Sequence, residues 1–301
     1  MSRVKPAALL ILVLLLAAPI VVRATQIPPD ADAIARFVAG HRIVLLGEVH
    51  DNPAQHALRW QALSRLVAAG FRPALAFEQF DIEQQPDIDR ARREKPADPD
   101  HLIAAAKGRG GWRWESYRPF VALALEHQLP IVAANLSRQR ASAVATDGWR
   151  AVFDDAQREA LKLDALPASF LAIHETAIDR GHCSMLPADA LPAMARAQIA
   201  RDILMAQVVQ RHASRGVVLL AGNGHVRNDV GVPFWLAADQ RREAVSVGAL
   251  EKGDSDADAA RRLRYDGWFV TATVDRADPC RDLNALPAVG KSVIAPPLDR
   301  R

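Results

Sequence analysis

What the sequence lacks narrows its function before any motif is read. There are only two cysteines, Cys183 and Cys280. No C-x-x-C-H occurs, which excludes covalent c-type haem attachment. No G-x-S-x-G occurs, so a serine nucleophile on a sharp strand–helix turn is not evident. Tyrosine is equally scarce, with Tyr117 and Tyr265 alone. No internal repeat is visible, and the longest apolar run, Ala7 to Val22, is 16 residues, short of the ~20 that span a bilayer. The chain also lacks an excess of one charge where it would matter. Its net +3 arises from 38 basic against 35 acidic residues, but Arg3, Lys5 and Arg23 carry all of it, and the 277 residues after Ala24 hold 35 of each sign. Composition therefore gives no support to a nucleic-acid surface.

What is present begins with a secretory signal. Met1 to Pro6 is a short basic segment, an apolar run follows, and Val22-Arg23-Ala24 puts small residues at −3 and −1 of a cut after Ala24. An uncleaved N-terminal anchor is the alternative. No cysteine follows the apolar run to accept a lipid, so the reading is a signal peptide over 1–24, a periplasmic protein that meets the membrane only in transit, and one mature domain over 25–301. In an oxidising compartment Cys183 and Cys280 become a disulfide candidate, with a free buried thiol or a metal-ligating thiolate as the other readings.

Half the residues are hydrophobic and 24% are charged, a globular composition. Short apolar runs at 42–46, 73–77, 130–134, 216–221, 244–248 and 267–274 alternate with helix-compatible stretches such as 54–69, 116–127 and 188–213. The first four runs are almost continuously apolar, as strands covered on both faces must be. This predicts an α/β fold: a mostly parallel central sheet, helices on both faces, and a helical insertion or cap. The insertions are expected at about 82–128 and 137–213, because the gap before the run at 216 far exceeds one crossover helix. The acidic stretch from Glu251 to Asp258 reads as a solvated loop and fails the EF-hand spacing.

In an open parallel sheet, ligands bind beyond the carboxyl ends of the strands. There the sequence places Gly47-Glu48-Val49-His50-Asp51-Asn52 with His56 after the first run, Glu78-Gln79 after the second, Asn135 after the third, and Gly222-Asn223-Gly224-His225 after the fourth. Gly47, Gly222 and Gly224 would permit sharp turns at these ends. Two carboxylates and two imidazoles can hold a divalent transition metal or serve as an acid/base pair, so Glu48, His50, Glu78 and His225 are candidate catalytic or metal-binding residues. Any one of them alone would equally suit a solvated or structural role, and their recurrence at several strand ends is what singles them out.

Leu46-Gly-Glu-Val-His-Asp-Asn-Pro-Ala-Gln-His56, Phe77-Glu-Gln-Phe80 and Ala221-Gly-Asn-Gly-His-Val-Arg-Asn-Asp-Val-Gly-Val-Pro233 resemble the ChaN branch of the Tiki/TraB/erythromycin-esterase superfamily over about 38–275. The resemblance implies an exported bacterial haem-binding protein of iron uptake, with haem held by a tyrosine, a histidine contributing, across a homodimer. It puts Tyr117 forward as ligand, with His174 and His182 as imidazole sources; a flat apolar haem with two propionates also needs an apolar wall, for which Trp112, Trp114 and Phe120 are at hand, and cationic groups, for which Arg109, Arg113 and Arg118 are. It equally implies an alternative: hydrolysis of a peptide or ester by Glu48, His50, Glu78 and His225, with or without a divalent metal.

Overall fold

The computed structural model describes residues 24–106, 111–253, 264–277 and Cys280. Its strands are Thr25–Gln26 (β1), Ile43–Leu46 (β2), Ala74–Asp81 (β3), Ile131–Asn135 (β4), Val217–Leu220 (β5), Ala244–Glu251 (β6) and Gly267–Thr271 (β7). They form one sheet in the order β1-β7-β6-β2-β5-β3-β4. Every pairing is parallel. All six expected strands are present, and the two-residue β1 is an addition. Two strands run further than their apolar cores. β3 continues through Glu78 to Asp81 with a register shift against β4, and β6 continues to Glu251, which is buried and bound by Asn52 and Arg276. Glu251 is thus a strand end where a solvated loop was expected; the residues from Asp254 to Asp258 lie outside the described ones.

Alternation along each strand divides the core. Val44, Leu46, Leu75, Phe77, Val218 and Leu220 face one layer, built from Ala31–Val38 (α1), Pro53–Ala68 (α2), Gln85–Glu94 (α3), Pro99–Ala106 (α4) and Trp114–Glu126 (α5). Ile43, Leu45, Ala74, Ala76, Val217 and Leu219 face the other, where Leu191–His212 (α9) packs through Met205, Ala206, Val208 and Val209. This places helices on both faces, as the uninterrupted apolar runs require.

The long insertion between β4 and β5 consists of Arg138–Asp147 (α6), Asp155–Ala160 (α7), Ala168–Gly181 (α8) and α9, and it has a core of its own. The first half of α9, through Ala197, Ile199, Ala200, Ile203 and Leu204, packs with α6 and α8 beside Leu136 and Val230, which follow the carboxyl ends of β4 and β5. The insertion therefore stands at the end of the sheet where the polar motifs emerge. Its far end is tied down by a disulfide between Cys183 and Cys280, so the cysteine reading is settled. Ala238–Glu243 (α10) leads into β6. Among the described residues no helix is long and apolar enough to cross a membrane.

Candidate functional site

The loop after β2 is shaped by the start of α2. Asn52 caps that helix by accepting from the Ala54 and Gln55 amides, and Pro53 occupies its first position, where a missing N–H costs nothing. Gln55 reaches back to accept from the Val49 amide at 2.6 Å. Asn52 also donates to Glu251 at 2.7 Å. The polar run from Asp51 to His56 is thus chiefly a bracket that fixes the backbone on which Glu48 and His50 stand.

Glu48 is 1% exposed. Its Oε1 accepts from the Tyr117 hydroxyl at 2.5 Å and from His50 Nδ1–H at 2.8 Å. Its Oε2 is ion-paired with Arg59, a guanidinium that also donates to the Leu46 carbonyl and lies over the Phe120 ring. Burial pushes Arg59 down to about 10, against the raising influence of Tyr117 and Glu78, so it stays charged at neutral pH. His56 lies beside them, its Nε2–H donating to the His50 carbonyl at 2.8 Å, and burial lowers its pKa.

Glu78 is the second centre. Its Oε2 accepts from the Gly222 amide at 2.6 Å, and its Oε1 lies 3.4 Å from His225 Nε2 and 3.8 Å from His50 Nε2. Asp202, from α9, binds His225 Nδ1 at 2.6 Å. Gln198, one turn earlier, lies 3.2 Å from His225 Nε2. Burial opposes charge on His225, but the carboxylates of Glu78 and Asp202 on either side outweigh it and push the imidazole up to about 10. Burial would raise Glu78 too, yet His225, His50 and the Gly222 amide bring it down to about 2. Burial raises Asp202. At neutral pH the proton of this row sits on His225. His50, with one nitrogen on Glu48 and the other facing Glu78, links the two centres; its side chain is 12% exposed and Trp112 meets it edge-on at 4.9 Å.

The structure thus brings Glu48, His50, Glu78 and His225 together as an ion-pair network. A divalent metal does not fit it: Arg59 already neutralises Glu48, and both nitrogens of His225 face carboxylates. Among the described residues no group of three or more His, Cys, Asp or Glu side chains is placed to hold a metal ion. Asn135 belongs elsewhere, accepting from Arg201 at 2.8 Å.

The glycines work differently from the sequence expectation. None of Gly47, Gly222 and Gly224 has a positive φ. Gly222 is required by close approach, since a Cβ there would stand 2.8 Å from His50 Nε2, and one at Gly47 would stand 2.4 Å from Asn223 Oδ1. Gly224 has open space around it.

Of the haem candidates, Tyr117 sits inside the strand-end cluster, 1% exposed and committed to Glu48. Tyr265 is buried against Gly248, its hydroxyl donating to the Asn223 carbonyl at 3.3 Å. His182 caps α8 and donates through Nδ1 to the Ile178 carbonyl at 2.8 Å. His174 is buried against Phe170, and its Nε2 has no hydrogen-bond partner among the described residues. Phe120 is fully buried, Trp114 packs on Phe80, and Arg118 is forked onto Asp100; Arg109 lies outside the described residues.

Sequence reasoning missed Arg59, Asp202 and Gln198. The signal was a polar residue on a buried helical face: Arg59 falls on the stripe His56, Leu63, Leu66 of α2, and Asp202 lies between Ile199 and Ile203 of α9.

The profile of the family described as haem-binding uptake, Tiki superfamily, ChaN matches residues 34–236. The chain belongs to this family. Among solved structures it is similar to ChaN of Campylobacter jejuni, described as binding haem cofacially, with a TM-score of 0.60 and 21% identity over 78% of this chain and 89% of that one. That likeness shows a shared fold. An erythromycin esterase, EreC, in its open conformation gives a TM-score of 0.44 at 14% identity over 77% of this chain and 76% of that one. The type III effector HopBA1 gives 0.47 at 12% identity over 84% of this chain and 97% of that one. No curated protein matches the chain.

Proposed function

We propose that the chain is an exported haem-binding protein of bacterial haem and iron acquisition. The observation that carries this reading is the family match over 34–236, which spans the three strand-end motifs and both helical insertions of a ChaN-family chain. The disulfide between Cys183 and Cys280 supports export, because such bonds persist in oxidising compartments. It agrees with a signal peptide over 1–24 and a periplasmic destination. Titration of the mature protein with haemin is expected to give a saturable Soret shift, with a homodimer on light scattering once haem is bound. Absence of a saturable shift would overturn the reading.

A specific observation favours a second activity at the strand ends. His50 is oriented by Glu48 and is the most exposed member of the cluster, while His225 is held as an imidazolium between Glu78 and Asp202. An imidazole oriented by a carboxylate beside a fixed proton donor is the arrangement that acid/base hydrolysis of an ester or amide needs. No metal enters this chemistry: His50 would take a proton from water, and His225 would donate to the leaving group. An esterase and peptidase screen should show activity that falls about 100-fold or more in H50A and H225A. Equal activity in both variants would remove the site from consideration.

A further inference from the structure

The sheet ends at β4, and that edge is the floor of a groove. α3 and α9 belong to opposite layers of the fold, so they stand on either side of it as walls. A cavity of about 350 Å³ runs over the backbone from Pro130 to Ala133. Gln85, Asp89 and Arg92 of α3 line one side of it, and Arg211 and His212, at the end of α9, line the other. A second cavity, of about 590 Å³, shares Asp89 and Arg92 with the first and continues past Arg93 to Glu126 and Gln128. The two thus form one groove, which lies before the strand end and apart from the Glu48–His225 cluster.

The floor presents the partners of a peptide backbone. β4 turns the Ile131 carbonyl and the Ala133 N–H outward, and a single carboxamide meets both: Gln85 donates to the first at 3.1 Å and accepts from the second at 2.8 Å. A carboxamide carries the donor and the acceptor of a peptide group, so this side chain stands where the backbone of an added strand would lie. A side chain can turn aside to make way. The walls set the charge. Among the described residues, Arg92, Arg93, Arg211 and Arg215 make no ion pair. The acids of α3 are engaged elsewhere: Arg90 binds Asp87 at 2.7 Å and lies 3.7 Å from Glu94, and Asp89 accepts from the Gln85 amide at 3.0 Å. Apart from Asp89, Glu126 is the one acid among the described residues that lines the groove. His212 registers the crowding of cations, since burial first, and then Arg211 and Arg215, lower its pKa.

We propose that the edge of β4 is a docking site for an extended acidic segment of a partner protein. Its backbone pairs with Ile131 and Ala133 in place of Gln85, and its carboxylates face Arg92 on one wall and Arg211 on the other. Side chains of a strand alternate between two faces, so acids in either register meet an arginine. The site does not depend on the haem reading.

The test uses the full mature chain and a fluorescein-labelled peptide of alternating Glu and Val, read by anisotropy. Wild type should bind it saturably, and more weakly as salt rises, because the charged partners are open to solvent. R92E/R211E should weaken binding about tenfold or more. Q85A, held below the concentration at which it self-associates, should bind several-fold more tightly, since no side chain then has to be displaced. The same peptide with every amide N-methylated keeps its charge but cannot donate to Ile131, and it should bind far more weakly. Equal binding of the methylated peptide would overturn the proposal without any variant having to fold. Undiminished binding in R92E/R211E, unchanged affinity in Q85A, or no saturable binding by wild type would do the same. Dispersal of a wild-type dimer by the peptide would also overturn it, and would make this edge a contact between copies of the chain.

Discussion

A single methyl group at position 222 separates two kinds of glycine in this chain. The added Cβ would stand 2.8 Å from His50 Nε2 and 3.7 Å from Glu78 Oε2, in a place where His50 is already tied to Glu48 and cannot retreat without losing that bond. G222A is therefore expected to cost about 1–3 kcal/mol, the range for overpacking, while G224A, with open space and no positive φ, stays within about 0.5 kcal/mol of wild type. Thermal unfolding of the two variants side by side checks this, and equal stability would show that His50 moves freely. The sequence showed glycines at strand ends but not which constraint each one meets, because close approach involves a side chain 172 positions away and leaves no local mark. The pH response of His174 follows from the same kind of local accounting. Burial first, and then the neighbouring charges of Arg227 and His225, outweigh the opposing pull of Asp229 and lower its pKa from 6.5 to about 4. The folded state thus binds its proton more weakly than the unfolded one, and the stability of the neutral form is present above pH 6.5 and lost as pH falls towards 4. Between pH 7 and 4.5 this group should cost wild type about 2–3 kcal/mol. H174L should lack that component in urea unfolding, and identical pH slopes would remove His174 as the source.

At the scale of elements, the edge strand β4 shows how the sheet ends. Its outward-facing groups invite another strand, but the side-chain amide of Gln85, in the first turn of α3, donates to the Ile131 carbonyl at 3.1 Å and accepts from the Ala133 amide at 2.8 Å. One side chain thus occupies the two positions that a docking backbone would use. Q85A should destabilise the fold by about 1–2 kcal/mol through the lost hydrogen bonds and produce concentration-dependent self-association on light scattering. A variant that stays as monodisperse as wild type would show that other groups guard the edge. Elements were the most legible level of the sequence. Continuous apolar runs announce strands buried on both faces, and the long interval before Val217 announces an insertion, because both patterns arise from burial alone. The helical residues that complete the site were hidden for the opposite reason. Arg59 and Asp202 lie inside apolar stripes, and only the fold reveals that the stripe passes a carboxylate or an imidazole at that point.

At the scale of the whole molecule, the C-terminal segment joins parts of the fold that share no strand. Arg276 is forked onto Asp51 and Glu251, which holds it beside the loop carrying His50, and Cys280 then bonds to Cys183 at the end of α8. Four residues reach at most about 14 Å, so the insertion that supplies Asp202 and Gln198 is tethered close to the loop that supplies Glu48 and His50. The sequence separation of the cysteines is 97, and closing a loop of that size restricts the unfolded chain by up to about 4–5 kcal/mol. The Arg276 fork does not depend on the disulfide, so reduction should release the end of α8 while leaving the tail clamped to Asp51. Reductant is then expected to lower the melting temperature of wild type and leave the C183S/C280S variant unmoved. Hydrogen exchange should rise at 178–184 and stay level at 43–52. Equal protection at 178–184 in both redox states would mean that packing alone secures the insertion, and that the disulfide acts on the unfolded chain without tethering the two halves of the site.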